Sequence, residues 1–267
     1  MTKLIAKQFN ELKKNNQKAL IPFLTAHFPN RTVFNELLHQ LPDHGASIIE
    51  IGIPFSDPMA DGVVIQKTSE IAIKNGFNLR DLFDDINKFK SKFPSVPIIF
   101  MTYLNPLIQY GMDAFLLKSK EISCDGLLIV DLPPENAHHV ISNDYDLDMI
   151  RLVTPTTTES RLPIIQESAG GFIYYVSVKG VTGTKKPNPH EIKSHLDNLR
   201  NEISLPIVIG FGINSTEIAE EMAAISDGVV IGSSLIKPFI DSSPDKYQTV
   251  MKDQLIYLDQ LHRSINA

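Results

Sequence analysis

Short runs rich in Ile, Val, Leu and Phe recur along the chain, and between them apolar residues return every three or four positions. The runs are 19–25, 47–53, 97–101, 126–130, 149–154, 172–178, 206–211 and 228–231. Each reads as a strand that is apolar on both faces, as a parallel sheet covered by helices requires. Val33, Leu37, Leu38 and Leu41, or Ile218, Met222 and Ile225, fall at helical spacing and supply crossovers between strands. Eight such units predict a closed (β/α)8 barrel, the TIM barrel, with extra helices at 2–15 and 244–264. An open doubly wound sheet carries the same alternation, because periodicity does not show whether the first and last strands pair. The run Asp125-Gly126-Leu127-Leu128-Ile129 is echoed by Asp227-Gly228-Val229-Val230-Ile231, a short hint of half-barrel duplication. No Gly/Ser linker, low-complexity segment or like-charge block divides the chain, so residues 1–267 are expected to form a single TIM-barrel domain.

Composition narrows the function. With 25 Lys and Arg against 31 Asp and Glu, a net charge of −6 disfavours a broad electrostatic hold on nucleic acid or on an acidic membrane surface. Any bound anion must be gripped locally. No apolar run approaches the roughly 20 residues of a membrane span. Lys3, Lys7, Glu11, Lys13 and Lys14 interrupt the N-terminal segment where a secretory signal would be continuous, so a cytoplasmic protein is expected. A lone Cys124 allows no intramolecular disulfide and reads as filler at a strand edge. The eight histidines show no metal-ligand spacing, and no metal is expected. The lysine placed nearest to a strand interior is Lys179, at the end of the sixth run, where a solvated loop residue and a Schiff-base lysine are both open readings.

In such barrels the chemistry sits at the C-terminal ends of the strands. There the segment Ile48-Ile49-Glu50-Ile51-Gly52-Ile53-Pro54-Phe55-Ser56-Asp57-Pro58-Met59-Ala60-Asp61-Gly62 stands out. Glu50 is the one charge in an apolar strand, with the parity of Ile48 and Gly52, which aims it into the barrel. Burial should raise its pKa toward that of a general acid/base working near neutral pH. The plainer reading is a Glu satisfied by a lysine or by backbone amides. Asp61 follows a loop stiffened by Pro54 and Pro58; it can serve chemistry or cap the helix that starts near Gly62. Asp57 has the same ambiguity as a turn former. Glycines cluster after the late strands: Gly180 and Gly183, Gly210 and Gly212, and Gly232 before Ser233 and Ser234 at the start of a short helix. This placement suits a phosphate held by backbone N–H groups, although each glycine alone is an ordinary turn residue.

The run from Glu50 to Gly62 closely resembles the signature of the tryptophan synthase alpha chain family. Tyr103-Leu104-Asn105-Pro106, Asp131-Leu132-Pro133-Pro134-Glu135, the stretch 174–183 and Gly210-Phe211-Gly212-Ile213 follow in that family's order and spacing, so the resemblance spans nearly the whole chain. It implies cleavage of indole-3-glycerol phosphate to indole and glyceraldehyde 3-phosphate, a carbon–carbon lyase step in tryptophan biosynthesis. By resemblance Glu50 is the catalytic acid/base and Asp61 its partner at the indole N–H. Gly183, Gly212, Gly232 and Ser233 match phosphate-binding positions, and Phe23, Met101, Leu128, Tyr174 and Phe211 match the pocket around indole and glycerol. Thr182 matches the loop residue that meets Asp61 on closure. The family further implies an assembly of two alpha and two beta chains, with indole passed to the beta chain. The alpha chain has no cofactor of its own, and pyridoxal phosphate belongs to the beta partner.

Two departures from the family pattern are visible. Val178 stands where many members have Arg, and the turn after the first strand reads Thr25-Ala26-His27-Phe28-Pro29 in place of Thr-Ala-Gly-Asp-Pro. The residues leave three competing readings open. One is another phosphate-binding barrel enzyme, such as a sugar-phosphate isomerase; the second is a barrel kept as a regulatory subunit acting through Asp57; the third is a free-standing lyase that releases indole.

Overall fold

A computed structural model describes residues 3–137, 145–176, 189–210 and 212–267. The nine strands are β1 (Ala19–Thr25), β2 (Ile49–Gly52), β3 (Ile98–Thr102), β4 (Gly126–Ile129), β5 (Asp148–Met149), β6 (Arg151–Val153), β7 (Ile173–Val176), β8 (Ile207–Gly210) and β9 (Gly228–Ile231). All pairings are parallel, in the order β5-β4-β3-β2-β1-β9-β8-β7-β6. The two ends of that order, β5 and β6, are consecutive in the chain and separated only by Ile150, so they close the ring. The expected fifth strand is therefore split. Its first half pairs with β4 and its second with β7, while the Ile150 N–H still donates to the Leu127 carbonyl at 2.9 Å. The fold is a TIM barrel, and the open-sheet alternative is set aside by this closure.

Helices cover the outside. Among the described residues they are α1 (Leu4–Lys14), α2 (Arg31–Gln40), α3 (Val63–Lys74), α4 (Leu79–Lys92), α5 (Leu104–Tyr110), α6 (Met112–Glu121), α7 (Leu162–Ser168), α8 (Pro189–Glu202), α9 (Thr216–Ile225), α10 (Ser233–Ile240) and α11 (Tyr247–Ile265). The expected terminal helices are α1 and α11. Helix α1 buries Ile5, Phe9 and Leu12, and its Phe9 ring lies 5.8 Å from Phe172, just before β7. Helix α11 buries Met251, Leu255, Leu258, Leu261 and Ile265 at helical spacing. No helix among the described residues is long and apolar enough to cross a membrane.

The Asp-Gly echo has a structural cause. Asp125 Oδ2 accepts the N–H of Ile98 at 2.8 Å, and Asp227 Oδ2 accepts the N–H of Ile207 at 2.8 Å. In each half of the barrel an aspartate thus satisfies the first strand N–H of its neighbour; Lys90 adds an ion pair to Asp125 at 2.9 Å. Cys124 is buried beside this point, with Sγ near the carbonyls of Ile98 and Gly126.

The turn after β1 is rebuilt around its departures. His27, at φ +58°, is buried between Phe34 and Phe77 and meets Asp85 of α4 at 3.1 Å. Arg31 donates to both oxygens of the same carboxylate, at 2.8 and 2.9 Å. Capping of α2 falls to Asn30, whose side chain accepts the Val33 N–H at 3.0 Å.

Candidate active site

Parallel register decides what faces the barrel axis, because paired residues project to the same side. Phe23 pairs with Glu50, Glu50 with Ile99, Gly52 with Met101, and Met101 with Leu128. At the C-terminal ends of the strands these positions open into a cavity of about 670 Å³. Its apolar wall includes Phe23, Met101, Leu128, Leu152, Tyr174 and Val230, and Asp61, Gly212, Gly232 and Ser233 line it as well. Two glycines make room for the aromatic wall. A Cβ on Gly210 would fall 2.1 Å from the Tyr174 hydroxyl, and one on Gly52 would fall 2.4 Å from the tip of the Phe23 ring.

Glu50 is fully buried, and neither carboxylate oxygen has a hydrogen-bond partner among the described residues. Among the described residues no lysine or backbone amide satisfies it, as the plainer reading would require. Burial, and second the nearby charge of Asp61, push its pKa up to about 8, so it holds a proton at neutral pH.

Asp61 is 7% exposed. Burial raises its pKa to about 6, against a lowering hydrogen bond from the Tyr103 hydroxyl, so it is mostly ionised at pH 7. It does not cap α3: the N-cap is Gly62, with no side-chain cap. Its loop is held from several sides. The Asp61 N–H donates to the Pro58 carbonyl at 3.1 Å, Gln66 Nε2 donates to the Asp61 carbonyl at 2.8 Å, and the Ala60 N–H donates to the Tyr103 hydroxyl at 3.0 Å. Asp57 is exposed and accepts from the hydroxyl of Ser56.

Also lining the cavity, Gly232 precedes α10 and its carbonyl takes the N–H groups of Leu235 and Ile236. The N–H groups of Ser233 and Ser234 belong to the first turn, where a helix leaves donors for an anion. Gly212 sits at φ +81°, a conformation suited to glycine. The structure thus brings Phe23, Asp61, Met101, Leu128, Tyr174, Gly212, Gly232 and Ser233 around one cavity, with Glu50 buried beneath its wall. Thr182, Gly183 and Phe211 lie outside the described residues, as do Val178, Lys179 and Gly180.

Sequence reasoning missed Tyr103 and the wall residues Val130, Leu152, Val176 and Val230. The wall residues were available from strand parity, since each lies two positions from an inward-facing neighbour. Tyr103 stood out only as the first residue of the Tyr103-Leu104-Asn105-Pro106 motif just after β3, with no role attached.

Comparison with known proteins yields a consistent set of likenesses. The family model described as tryptophan synthase alpha chain matches residues 9–266. The tryptophan synthase alpha chain of Nitrosomonas europaea is 41% identical over 261 residues, covering 97% of this chain and 94% of that protein. The crystal structure of tryptophan synthase subunit alpha from Legionella pneumophila superposes with a TM-score of 0.90 at 34% identity, over 99% of both chains. A structure of tryptophan synthase from M. tuberculosis superposes with a TM-score of 0.86 at 27% identity, over 99% of each chain.

Proposed function

The chain belongs to the tryptophan synthase alpha chain family and is a lyase that cleaves indole-3-glycerol phosphate in tryptophan biosynthesis, passing indole to a beta partner; within that reaction we propose that Glu50 and Asp61 carry the chemistry. The observation behind this assignment is a fully buried Glu50 without a hydrogen-bond partner among the described residues, near Asp61 beside an apolar cavity, with its pKa raised above that of Asp61.

Direct rupture of the bond from indole C3 to the glycerol chain would leave a carbanion. Glu50 avoids it by giving its proton to C3, which turns the ring into an indolenine with a positive C=N–H. Asp61 accepts a hydrogen bond from that N–H and stabilises the charge as it forms, an interaction strengthened by the apolar surroundings. The Glu50 carboxylate then takes the proton of the glycerol hydroxyl next to the ring. As that oxygen becomes a carbonyl, the carbon–carbon bond breaks and its electron pair returns to the ring. Indole and glyceraldehyde 3-phosphate result, and Glu50 ends with its proton restored. Because the protonated ring accepts the electrons, this chain needs no cofactor of its own, and pyridoxal phosphate is left to the beta chain.

Phe23, Met101, Leu128 and Tyr174 would hold the flat ring, and the backbone of Gly212, Gly232 and Ser233 the phosphate. Gly183, Phe211 and Thr182 are assigned to phosphate, pocket and loop closure by resemblance alone. We read residues 1–267 as one domain, working in the cytoplasm in an assembly of two alpha and two beta chains. One continuous buried core supports the first of these readings. Turnover of indole-3-glycerol phosphate, measured with and without beta chain for wild type, Glu50→Gln and Asp61→Asn, tests the site. Loss of at least about a hundredfold in each folded variant is expected. Wild-type rates in either variant would overturn its role.

A further inference from the structure

Asp61 must keep its charge in a place that discourages it, and one residue outside the family assignments above is built to help. Tyr103 is 3% exposed at the junction of β3 and α5, with its ring 5.3 Å from Phe55. Its backbone neighbour is pinned from the loop after β4: the Leu104 N–H donates to Asp131 Oδ1 at 2.7 Å. Its hydroxyl does two things at once. It accepts the Ala60 N–H at 3.0 Å, and it is placed to donate a side-chain hydrogen bond to the carboxylate of Asp61, the next residue. A phenol that accepts from one residue and donates to the next sets both the path of the loop and the position of the carboxylate.

We propose that Tyr103 is a positioning residue for the lyase reaction, which fixes the Ala60–Asp61 segment to the barrel and keeps Asp61 ionised for the indole N–H. The inference rests on the role proposed for Asp61. Three titratable side chains among the described residues face Asp61: Tyr103 from the end of β3, Glu50 from β2 and Tyr174 from β7. Below pH 7 Glu50 is protonated and adds no charge. Burial raises Tyr174 well above the usual tyrosine range, so it stays neutral too. Burial, followed by the Asp61 charge, likewise keeps the Tyr103 hydroxyl protonated and able to donate. The donated hydrogen bond is therefore the contact that opposes protonation of Asp61 as the pH falls.

The test is the pH profile of kcat/KM for indole-3-glycerol phosphate in the alpha–beta complex, for wild type, Tyr103→Phe and Asp61→Asn. Tyr103→Phe keeps the ring beside Phe55 and removes only the hydroxyl. Its acid limb should move up by about one pH unit, a loss of about tenfold below pH 6 and far less at pH 7.5. A uniform loss at every pH, or none, with Asp61→Asn inactive, would overturn the inference and leave the role of Asp61 standing. Full turnover by Asp61→Asn would overturn both. Should Tyr103→Phe fail to fold, 3-fluorotyrosine placed at position 103 gives an independent arm. Its more acidic hydroxyl should move the acid limb down, and an unmoved limb would sink the proposal.

Discussion

Glu50→Gln should make this protein more stable as it makes it inactive, and the gain should depend on pH in a defined way. In the unfolded chain Glu50 loses its proton near its ordinary value of 4.5, whereas in the folded barrel it keeps the proton up to about 8. Between those values the folded state binds one more proton than the unfolded state, so stability falls as pH rises through the window. At about 1.4 kcal/mol per pH unit, the deficit is about 3 kcal/mol at pH 7 and about 5 kcal/mol above pH 8. Glutamine has nearly the same shape, stays neutral in both states and removes this slope; its buried amide is no better satisfied than the protonated acid. The variant should therefore gain about 3 kcal/mol at pH 7, about 6 to 12 °C in Tm for a chain of this size, but under about 1 kcal/mol at pH 5. Urea and thermal unfolding of both proteins at pH 5, 7 and 8 read this difference. A gain that is the same at all three values, or a loss at pH 8, would refute the argument that Glu50 is buried without a partner.

Gly210→Ala places a Cβ where only 2.1 Å separates it from the Tyr174 hydroxyl, so the tyrosine must leave the indole wall. Steady-state kinetics should show kcat/KM down by about tenfold or more, with KM carrying much of the loss and the fold intact by circular dichroism. Asp85→Asn removes the charge shared by buried His27 and by Arg31, and urea unfolding at pH 7 should show a loss of about 2 kcal/mol. Burial alone would raise the Asp85 pKa, but hydrogen bonds from His27, Arg31 and Asn35 and the Arg31 charge hold it well below the ordinary value of 3.8. Its stabilisation is thus present above pH 4 and lost on acidification, so the wild type and Asp85→Asn should converge in stability at low pH.

The barrel was legible because its strands are inward and outward apolar at once, and only a helix-covered parallel sheet asks for that. β1 and β9 fall at their expected residues to the position. The split of the fifth strand at Ile150 was not legible, since it reflects a change of pairing partner, which hydrophobic periodicity does not record. Glu50 was visible as a lone charge with inward parity, but its lack of a partner among the described residues depends on which side chains meet it in space. Gly210 shows the limit from another direction. In the chain it reads as one of a set of phosphate glycines, while in the fold its missing Cβ is the space that Tyr174 fills. The His27 turn was flagged as a departure, yet its repair comes from Asp85, 58 residues later and on another helix.

Two solvated carboxyl groups would each ionise near pH 4, and neither could then protonate a carbon at neutral pH. The barrel separates them by unequal burial and unequal hydrogen bonding. Glu50, on a strand and with its oxygens unpaired among the described residues, is acted on by desolvation and by the Asp61 charge, and both favour the proton. Asp61, on a loop, meets the same desolvation less completely and receives a phenol hydrogen bond that favours the anion. The second carboxylate also reinforces the first, since ionised Asp61 makes Glu50 harder to deprotonate. One acid and one base therefore coexist between about pH 6 and 8. The instability that Glu50 brings to the fold is the same free energy that keeps its proton available for C3. A variant that relieves it by supplying a partner, such as a lysine aimed at Glu50 from a neighbouring strand, should gain stability and lose turnover together.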